Sequence, residues 1–206
     1  MKNRCLIAIF FLLTPSGALG QQAYCSLRDP VRAIQSSVPD FDHYVSIVRQ
    51  IHAGHRETIL ETLPFTIHAN ELGTHTVYAA FDSNDDLAAI VHVRTERGRW
   101  GLTEIAWTFD PELRVIDMNF QRSRDRSRKY IESEYFQQSI QGKGFAELRA
   151  LLNDEGTAVN EASLAVPPGA QAIALDVIKS ALKTISATQT VWGESLETFQ
   201  QKDGTL

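Results

Sequence analysis

Cysteine is almost absent from this chain of 206 residues. It has only Cys5 and Cys25, and Cys5 falls in an apolar segment close to the amino terminus. If that segment is removed, Cys25 is left alone and no internal disulfide can form. Zinc sites built from cysteine pairs are excluded for the same reason. A lone thiol in an oxidising compartment is buried, pairs with another molecule or takes part in chemistry, and these three roles stay open.

Hydrophobic runs long enough to cross a bilayer are also absent. The apolar run that begins at Cys5 is short, follows Lys2 and Arg4, and leads into a small-residue segment that ends at Gly20. This pattern predicts a cleavable signal peptide over residues 1–20. We therefore expect a periplasmic or secreted protein with no transmembrane segment after cleavage, and a single domain over residues 21–206.

An excess of basic residues is missing as well. Lysine and arginine number 20 against 25 acidic residues, which gives a net charge of −5. Signal cleavage removes Lys2 and Arg4 and no acid, so the remaining charge is −7. Binding to nucleic acid depends on releasing counterions with basic groups, and docking on anionic lipid needs the same sign of charge. The net charge argues against both.

Recognisable catalytic and metal motifs do not occur. The chain has no H-E-x-x-H, no C-x-x-C-H, no Walker or dinucleotide glycine pattern and no G-x-S-x-G. His52 and His55 are three residues apart on a predicted helix, whereas His68, His75 and His92 fall on predicted strands. Because His52 and His55 lie within the apolar stripe of that helix, we expect them to be partly buried and hydrogen-bonded, and a histidine-ligated haem or metal is the weaker alternative. Whether the protein is an enzyme stays open.

The hydrophobic pattern predicts an α+β fold. Apolar residues recur at helical spacing over residues 41–63, which predicts an N-terminal helix. Alternating or β-branched segments separated by turns then predict an antiparallel meander of five strands, at residues 63–69, 74–81, 87–95, 102–109 and 114–120. Further helices are predicted at residues 129–140 and 145–152, from about residue 171 to 185, and in the tail.

Two features of the second half suggest a site for an anion. The segment from Pro167 to Gln171 is a Pro-Gly turn that opens a helix, and helix N-termini offer free N–H groups to phosphates. Five cations lie between Arg122 and Lys129, in an otherwise acidic chain. Such a run either holds a phosphate or carboxylate or is a solvated loop, and the sequence favours the loop.

The order of several segments resembles a known family. A G-x-x-x-I turn at Gly101 is followed by FDPELRVIDMNF, YIESEYFQQSIQGK and PPGAQAIALDVIKSALK. This order is similar to that of the secreted FMN-binding domain found in flavoprotein subunits of the Rnf complex, in the sodium-translocating NADH:quinone reductase and in NosR proteins. The similarity spans roughly residues 100–183.

The resemblance implies FMN as cofactor, with its phosphate at Gly169, Ala170 and Gln171 and its ring near Trp100 and Gly101. In that family a threonine that takes FMN covalently stands where this chain has Gln171, which has no hydroxyl, so the flavin is expected to be non-covalent. The family's Glu-Thr-Pro-Gly-Leu-Gly loop is replaced by the arginine-rich run. The implied function is electron transfer or redox sensing beside a membrane redox complex.

A rival interpretation keeps the fold and discards the cofactor. In it the chain is a non-catalytic periplasmic accessory or binding protein that has lost the flavin. Cys25, or the arginine-rich run from Arg122 to Lys129, would then meet a protein partner. The visible absorption of the protein separates the two interpretations, because a flavin is coloured and an accessory protein is not.

Overall fold

The computed structural model describes residues 23–201, so the signal peptide predicted over residues 1–20 lies outside the described residues. The strands are β1 (Ala23–Cys25), β2 (His43–Ile51), β3 (Gly73–Phe81), β4 (Leu87–Gly98), β5 (Gly101–Phe109) and β6 (Val115–Arg122). The helices are α1 (Pro30–Ser37), α2 (Ala53–Leu60), α3 (Arg128–Ile131), α4 (Glu134–Ile140), α5 (Phe145–Arg149) and α6 (Gln171–Gln201), with a 3-10 turn at Ala69–Glu71.

The strands form one mixed sheet. Strands β2 to β6 pair antiparallel, each with the next, whereas β1 pairs parallel with β3. The predicted α+β fold is confirmed. The predicted all-antiparallel sheet of five strands is wrong, because the described residues form six strands and one of them is parallel. A three-residue strand such as β1 is too short to leave an alternating pattern in the sequence.

Strand β1 occupies a gap where β3 and β4 separate. Strand β2 covers one edge of β3 over its full length. On the other edge of β3, its residues Val77 to Phe81 pair with β4, and its residues Gly73 to His75 pair with β1. The ends of β3 and β4 therefore diverge at His75, and the side chains nearby have neighbours from three strands.

The sheet has two buried faces. Residues such as Val77, Ile90 and Trp107 pack with α6 in the larger core. Residues such as Tyr78, Val91 and Ala106 pack with α1 in a smaller one. Side chains of a strand alternate between faces, so the even-numbered residues of β4 and the odd-numbered residues of β3 and β5 face α6.

The predicted N-terminal helix over residues 41–63 is wrong. The segment is strand β2 followed by the short helix α2, which begins after His52 as N-cap. Val45, Ile47 and Val48 are β-branched and favour a strand, and their spacing also fits a helix. The predicted strand over residues 63–69 is irregular instead, and its apolar residues Leu63 and Ile67 are buried in the core without pairing in the sheet.

The helices of the second half differ from prediction mainly in length. The helix expected over residues 129–140 is two short helices, α3 and α4, separated at Ser133, whose hydroxyl caps α4. The two C-terminal helices expected are one helix of 31 residues, α6. No proline interrupts α6, and its apolar side packs on the sheet as far as Leu196. No helix of the described residues is long and apolar enough to cross a membrane.

Candidate functional site

Trp100 and Gly101 lie at the tip of the β4–β5 hairpin. Gly98 and Gly101 are paired across the strands, so Arg99 and Trp100 form a two-residue turn. Gly101 has φ of 111°, a backbone conformation that favours glycine over other residues. Trp100 is exposed, and the guanidinium of Arg99 lies 5.4 Å from the centroid of its ring.

Gly169, Ala170 and Gln171 form the turn into α6. Ala170 is buried and its N–H donates to the carbonyl of Pro167. The carbonyl of Gly169 accepts a hydrogen bond from Ser127 Oγ at 2.7 Å. Gln171 is exposed, and its amide Nε2 donates to Glu161 Oε1 at 3.0 Å. The side chain expected to hold a phosphate therefore already binds a carboxylate.

A narrow cleft separates the hairpin tip from the first turns of α6. Trp100 lines it on one side, and Ile173, Asp176 and Val177 line it on the other. The hairpin tip and the start of α6, where the resemblance implies the flavin ring and its phosphate, are therefore adjacent in the structure. Gly101 and the residues from Gly169 to Gln171 do not themselves line the cleft. Its volume is about 10 Å³, which is about the space that one water molecule needs.

The inner part of this cleft is acidic. Glu96, Asp125 and Asp176 all line it. Burial raises the pKa of Asp176 to about 6, and the neighbouring negative charge of Glu96 adds to the shift. A carboxylate in this position disfavours a phosphate inside the cleft, because like charges repel in a poorly solvated site.

The arginine-rich run lies directly beside the cleft and the start of α6. Side chains of the run surround an open depression of about 430 Å³, a volume in the range of small-molecule sites. Those side chains are Ser123, Arg124, Asp125, Arg126, Arg128 and Lys129. Asp125 also lines the cleft, and Ser127 holds Gly169. The basic run is therefore a surface next to the α6 turn.

A buried cluster of four charged side chains lies deeper between the sheet and α6. Lys183 Nζ donates to Glu71 at 2.7 Å and to Glu96 at 2.9 Å. Arg94 bonds to the same two carboxylates, through Nη2 to Glu71 and through Nε to Glu96, both at 2.8 Å. All four side chains are at least nine-tenths buried. We call these four residues the buried tetrad.

The buried tetrad is electrically balanced. Burial raises the pKa of Glu71, but the charges of Arg94 and Lys183 outweigh it, and the pKa is lowered to about 2. One buried atom of the cluster, Arg94 Nη1, has no hydrogen-bond partner. The spacing of Arg94 and Glu96, two residues apart on a strand, is a weak sequence signal for one pair of the cluster. Nothing in the spacing indicated that Glu71 and Lys183 join them.

A chain of hydrogen bonds through two buried histidines adjoins the tetrad. His75 Nε2 is 3.2 Å from the carbonyl oxygen of Glu71, His75 Nδ1 is 3.3 Å from His92 Nε2, and His92 Nδ1 is 2.8 Å from Thr188 Oγ1. A carbonyl only accepts, so His75 carries its proton on Nε2. With neutral rings, His92 Nε2 then donates to His75 and the Thr188 hydroxyl donates to His92.

Burial keeps these two histidines neutral. Burial and the charge of Arg94 lower the pKa of His75 to about 4. Burial and the neighbouring His75 lower the pKa of His92 well below its usual value. The predicted position on strands is confirmed for His75 and His92, which lie on β3 and β4. His68 is not on a strand, since it precedes the 3-10 turn at Ala69–Glu71.

His52 and His55 do not belong to a helical apolar stripe. His52 caps α2, and its ring stacks on that of His55 with centroids 3.5 Å apart. His52 is exposed rather than partly buried, and its Nδ1 accepts a hydrogen bond from the backbone N–H of His55 at 3.4 Å. Within residues 23–201 no group of three or more histidine, cysteine or acidic residues is arranged to hold a metal ion.

Cys25 is buried in the smaller core and is not available to a partner. Its thiol donates to Thr95 Oγ1 at 3.5 Å and is 2% exposed. Burial raises its pKa, which disfavours the reactive thiolate. Of the three roles left open by the sequence, the structure supports a buried small hydrophobic residue.

We expect Cys25 to be unreactive in the folded protein. A thiol reagent such as DTNB should label it only after denaturant is added, because both access and ionisation require unfolding. Absorbance after DTNB addition, with and without denaturant, measures this. Rapid labelling of the native protein, or a disulfide-linked dimer on a non-reducing gel, would contradict the buried position.

Compared with protein-family models, with curated proteins and with solved structures, the chain shows no significant match to any of them. The similarity to the FMN-binding domain therefore rests only on the order of the sequence segments.

Proposed function

We propose that this exported protein binds FMN without a covalent link and serves electron transfer or redox sensing. The observation that supports the proposal best is the hydrogen bond from Ser127 to Gly169. This hydrogen bond joins the arginine-rich surface to the turn into α6, which is the phosphate position that the resemblance implies. Trp100, where the resemblance expects the ring, lies across the adjacent cleft.

The residues at the phosphate end suit a phosphate monoester. Arg124, Arg126 and Arg128 line an open depression. One guanidinium group can donate two parallel hydrogen bonds to two oxygens of a phosphate. The N-terminal end of α6 adds the positive end of its dipole. Gln171 has no hydroxyl to esterify, so the binding is reversible. When bound, a flavin supplies one- and two-electron redox chemistry.

The surroundings of Trp100 allow a flavin ring to bind on the protein surface but not inside the cleft. The cleft holds about one water molecule, so it does not enclose a three-ring system. Trp100 instead presents an exposed aromatic face on which a flat ring can stack. We therefore expect a shallow, solvent-accessible site, which fits exchange of electrons with a second protein more than enclosed catalysis.

FMN titration with the purified protein tests the proposal. We expect quenching of flavin fluorescence on binding, because the ring stacks on Trp100, and a weaker affinity as salt rises, because phosphate–arginine contacts are screened. The double variant Arg124→Gln/Arg126→Gln should weaken binding by roughly tenfold or more through loss of two charge-assisted contacts. The matched control is Arg114→Gln, an exposed arginine that pairs with Glu147 elsewhere.

One outcome would count against flavin binding, and another would count against the arginine-rich run as the phosphate site. One is no binding of FMN by the wild-type protein at any salt concentration. The other is equal weakening by the double variant and by Arg114→Gln. Riboflavin serves as a second ligand: it lacks the phosphate, so it should bind the wild-type protein more weakly than FMN does.

The alternative, a non-catalytic accessory protein without flavin, is favoured by one specific observation. The cleft beside Trp100 is closed and is lined by three carboxylates. In this alternative the arginine-rich surface binds an acidic partner, and Cys25 takes no part because it is buried. A colourless protein that also fails to bind added FMN would favour it.

A further inference from the structure

The hairpin tip exposes two large apolar side chains together with two cations. Trp100 is 57% exposed and Leu102 is 49% exposed. Arg97 is paired across the hairpin with Leu102, and Arg99 precedes Trp100 in the turn. By strand alternation Leu102 faces the α1 side of the sheet, whereas Trp100 lines the cleft under α6. The tip is therefore apolar on both of its sides.

A basic surface adjoins this tip. Trp100 and Asp125 line the same cleft, so the arginine-rich run lies next to the hairpin. The exposed cations of this end are Arg97, Arg99, Arg122, Arg124, Arg126, Arg128 and Lys129, of which Arg122 lies 3.5 Å from a carboxylate oxygen of Glu104. The chain as a whole is acidic, with a net charge of −5. This end therefore carries a local basic surface, which the net charge of the whole chain conceals.

We propose that this end of the molecule docks on a bilayer that contains anionic phospholipid. Trp100 and Leu102 enter the boundary between headgroups and acyl chains, where tryptophan is enriched in membrane proteins. The surrounding cations lie against the lipid phosphates. The proposal does not depend on flavin binding: Trp100 and the arginine-rich run are common to both surfaces, whereas Leu102 and Arg97 belong only to the docking surface.

The observations favour a bilayer over the other anionic partners. A free phosphate is bound by cations alone and makes no use of a protruding Leu102. An acidic protein partner would account for the cations, but interface cores are depleted of charge, so it does not account for apolar side chains placed among arginines. A hairpin tip with an exposed apolar side chain on each side and arginines beside it suits a bilayer, which offers negative headgroups next to hydrocarbon.

Tryptophan fluorescence reports on the tip directly. Of the three tryptophans, Trp107 and Trp192 are fully buried, so Trp100 is the one whose surroundings change on docking. The exported protein is mixed with vesicles of phosphatidylcholine containing phosphatidylglycerol, or with phosphatidylcholine vesicles alone. We expect a blue shift of the emission and co-sedimentation with the anionic vesicles, both decreasing as salt rises.

Variants separate docking from general attraction. Leu102→Ser should lower the partition coefficient by roughly tenfold or more, since it removes buried apolar area from the tip. Val48→Ser is the matched control, because Val48 is 60% exposed on strand β2, away from the hairpin. Any contribution from residues outside the hairpin appears equally in both variants, so the difference between them belongs to the tip.

Several results would overturn the proposal. They are the absence of binding to anionic vesicles, binding without a shift in tryptophan emission, and equal losses in Leu102→Ser and Val48→Ser. An equal shift produced by inorganic phosphate alone would assign the surface to a free phosphate. A shift produced by polyglutamate but not by vesicles would assign it to an acidic protein.

Discussion

Replacing Arg94 by methionine is expected to lower the free energy of unfolding by about 3–5 kcal/mol, because removing one partner of a buried ion pair leaves charge uncompensated. Arg94 is fully buried and bonds to both Glu71 and Glu96. Without it, two carboxylates share the single charge of Lys183. Denaturant titration followed by circular dichroism measures the change.

A surface pair provides the matched control for this substitution. Arg114 bonds to Glu147 at 2.7 Å, nearly the distance seen in the tetrad, but both side chains are about half exposed. Arg114→Met should therefore cost only about 0–1 kcal/mol, the usual value for exposed pairs. Equal costs for Arg94→Met and Arg114→Met would show that the tetrad is not buried as described.

The double variant tests whether the four charges act as one unit. Arg94→Met combined with Glu71→Gln leaves Glu96 and Lys183 as a neutral pair at 2.9 Å. Its cost should be smaller than the sum of the two single costs, since residues of one ionic network are coupled. Additive costs would mean that Glu71 and Arg94 contribute independently.

The buried tetrad also explains why sequence reasoning found the fold class but missed this part of the interior. Strand β5 is recognisable because it alternates with a buried side, as with Ile105, Trp107 and Phe109. Strands β3 and β4 are buried on both faces and are recognisable from their β-branched and aromatic residues between turns. Strand β2 was mistaken for a helix because its β-branched residues also recur at helical spacing. Glu71, Arg94 and Lys183 look like surface residues in a sequence, and only tertiary contacts bring them together.

The candidate site was predictable to a similar extent. The pattern of segments led to the hairpin at Trp100 and to the α6 turn, and these are neighbours across one cleft. The sequence did not indicate that Glu161 binds Gln171 or that Ser127 holds Gly169. Both contacts involve loop residues, whose positions depend on the packing of the elements that they connect.

The stability of the protein is expected to fall as the pH is lowered from 7 toward 4.5, because His75 and His92 are held neutral. The pKa of His75 is about 4 in the folded protein, against an ordinary value of 6.5. Between these values the unfolded chain binds a proton that the folded chain does not, so acid favours unfolding. Each pH unit in this window corresponds to about 1.4 kcal/mol for one such group.

Asp176 opposes this trend, which allows a sharp test. Its pKa is raised to about 6 from an ordinary 3.8, so the folded protein binds the extra proton in that window and its contribution to stability grows as the pH falls. Asp176→Asn should therefore make the loss of stability between pH 6 and 4.5 steeper. His75→Gln should make this loss of stability less steep, because it removes one of the two buried histidines that favour unfolding in acid.

The control for both variants is Val48→Ser, which changes an exposed side chain of strand β2 that does not titrate. Its unfolding midpoints should follow the wild-type pH dependence closely. NMR titration of the imidazole resonances gives a second measurement that does not depend on unfolding. Protonation of His75 or His92 near pH 6.5 in the native protein would contradict the buried hydrogen-bonded chain from Thr188 to Glu71, because a charged His75 leaves its Nδ1 proton facing the donor Nε2 of His92.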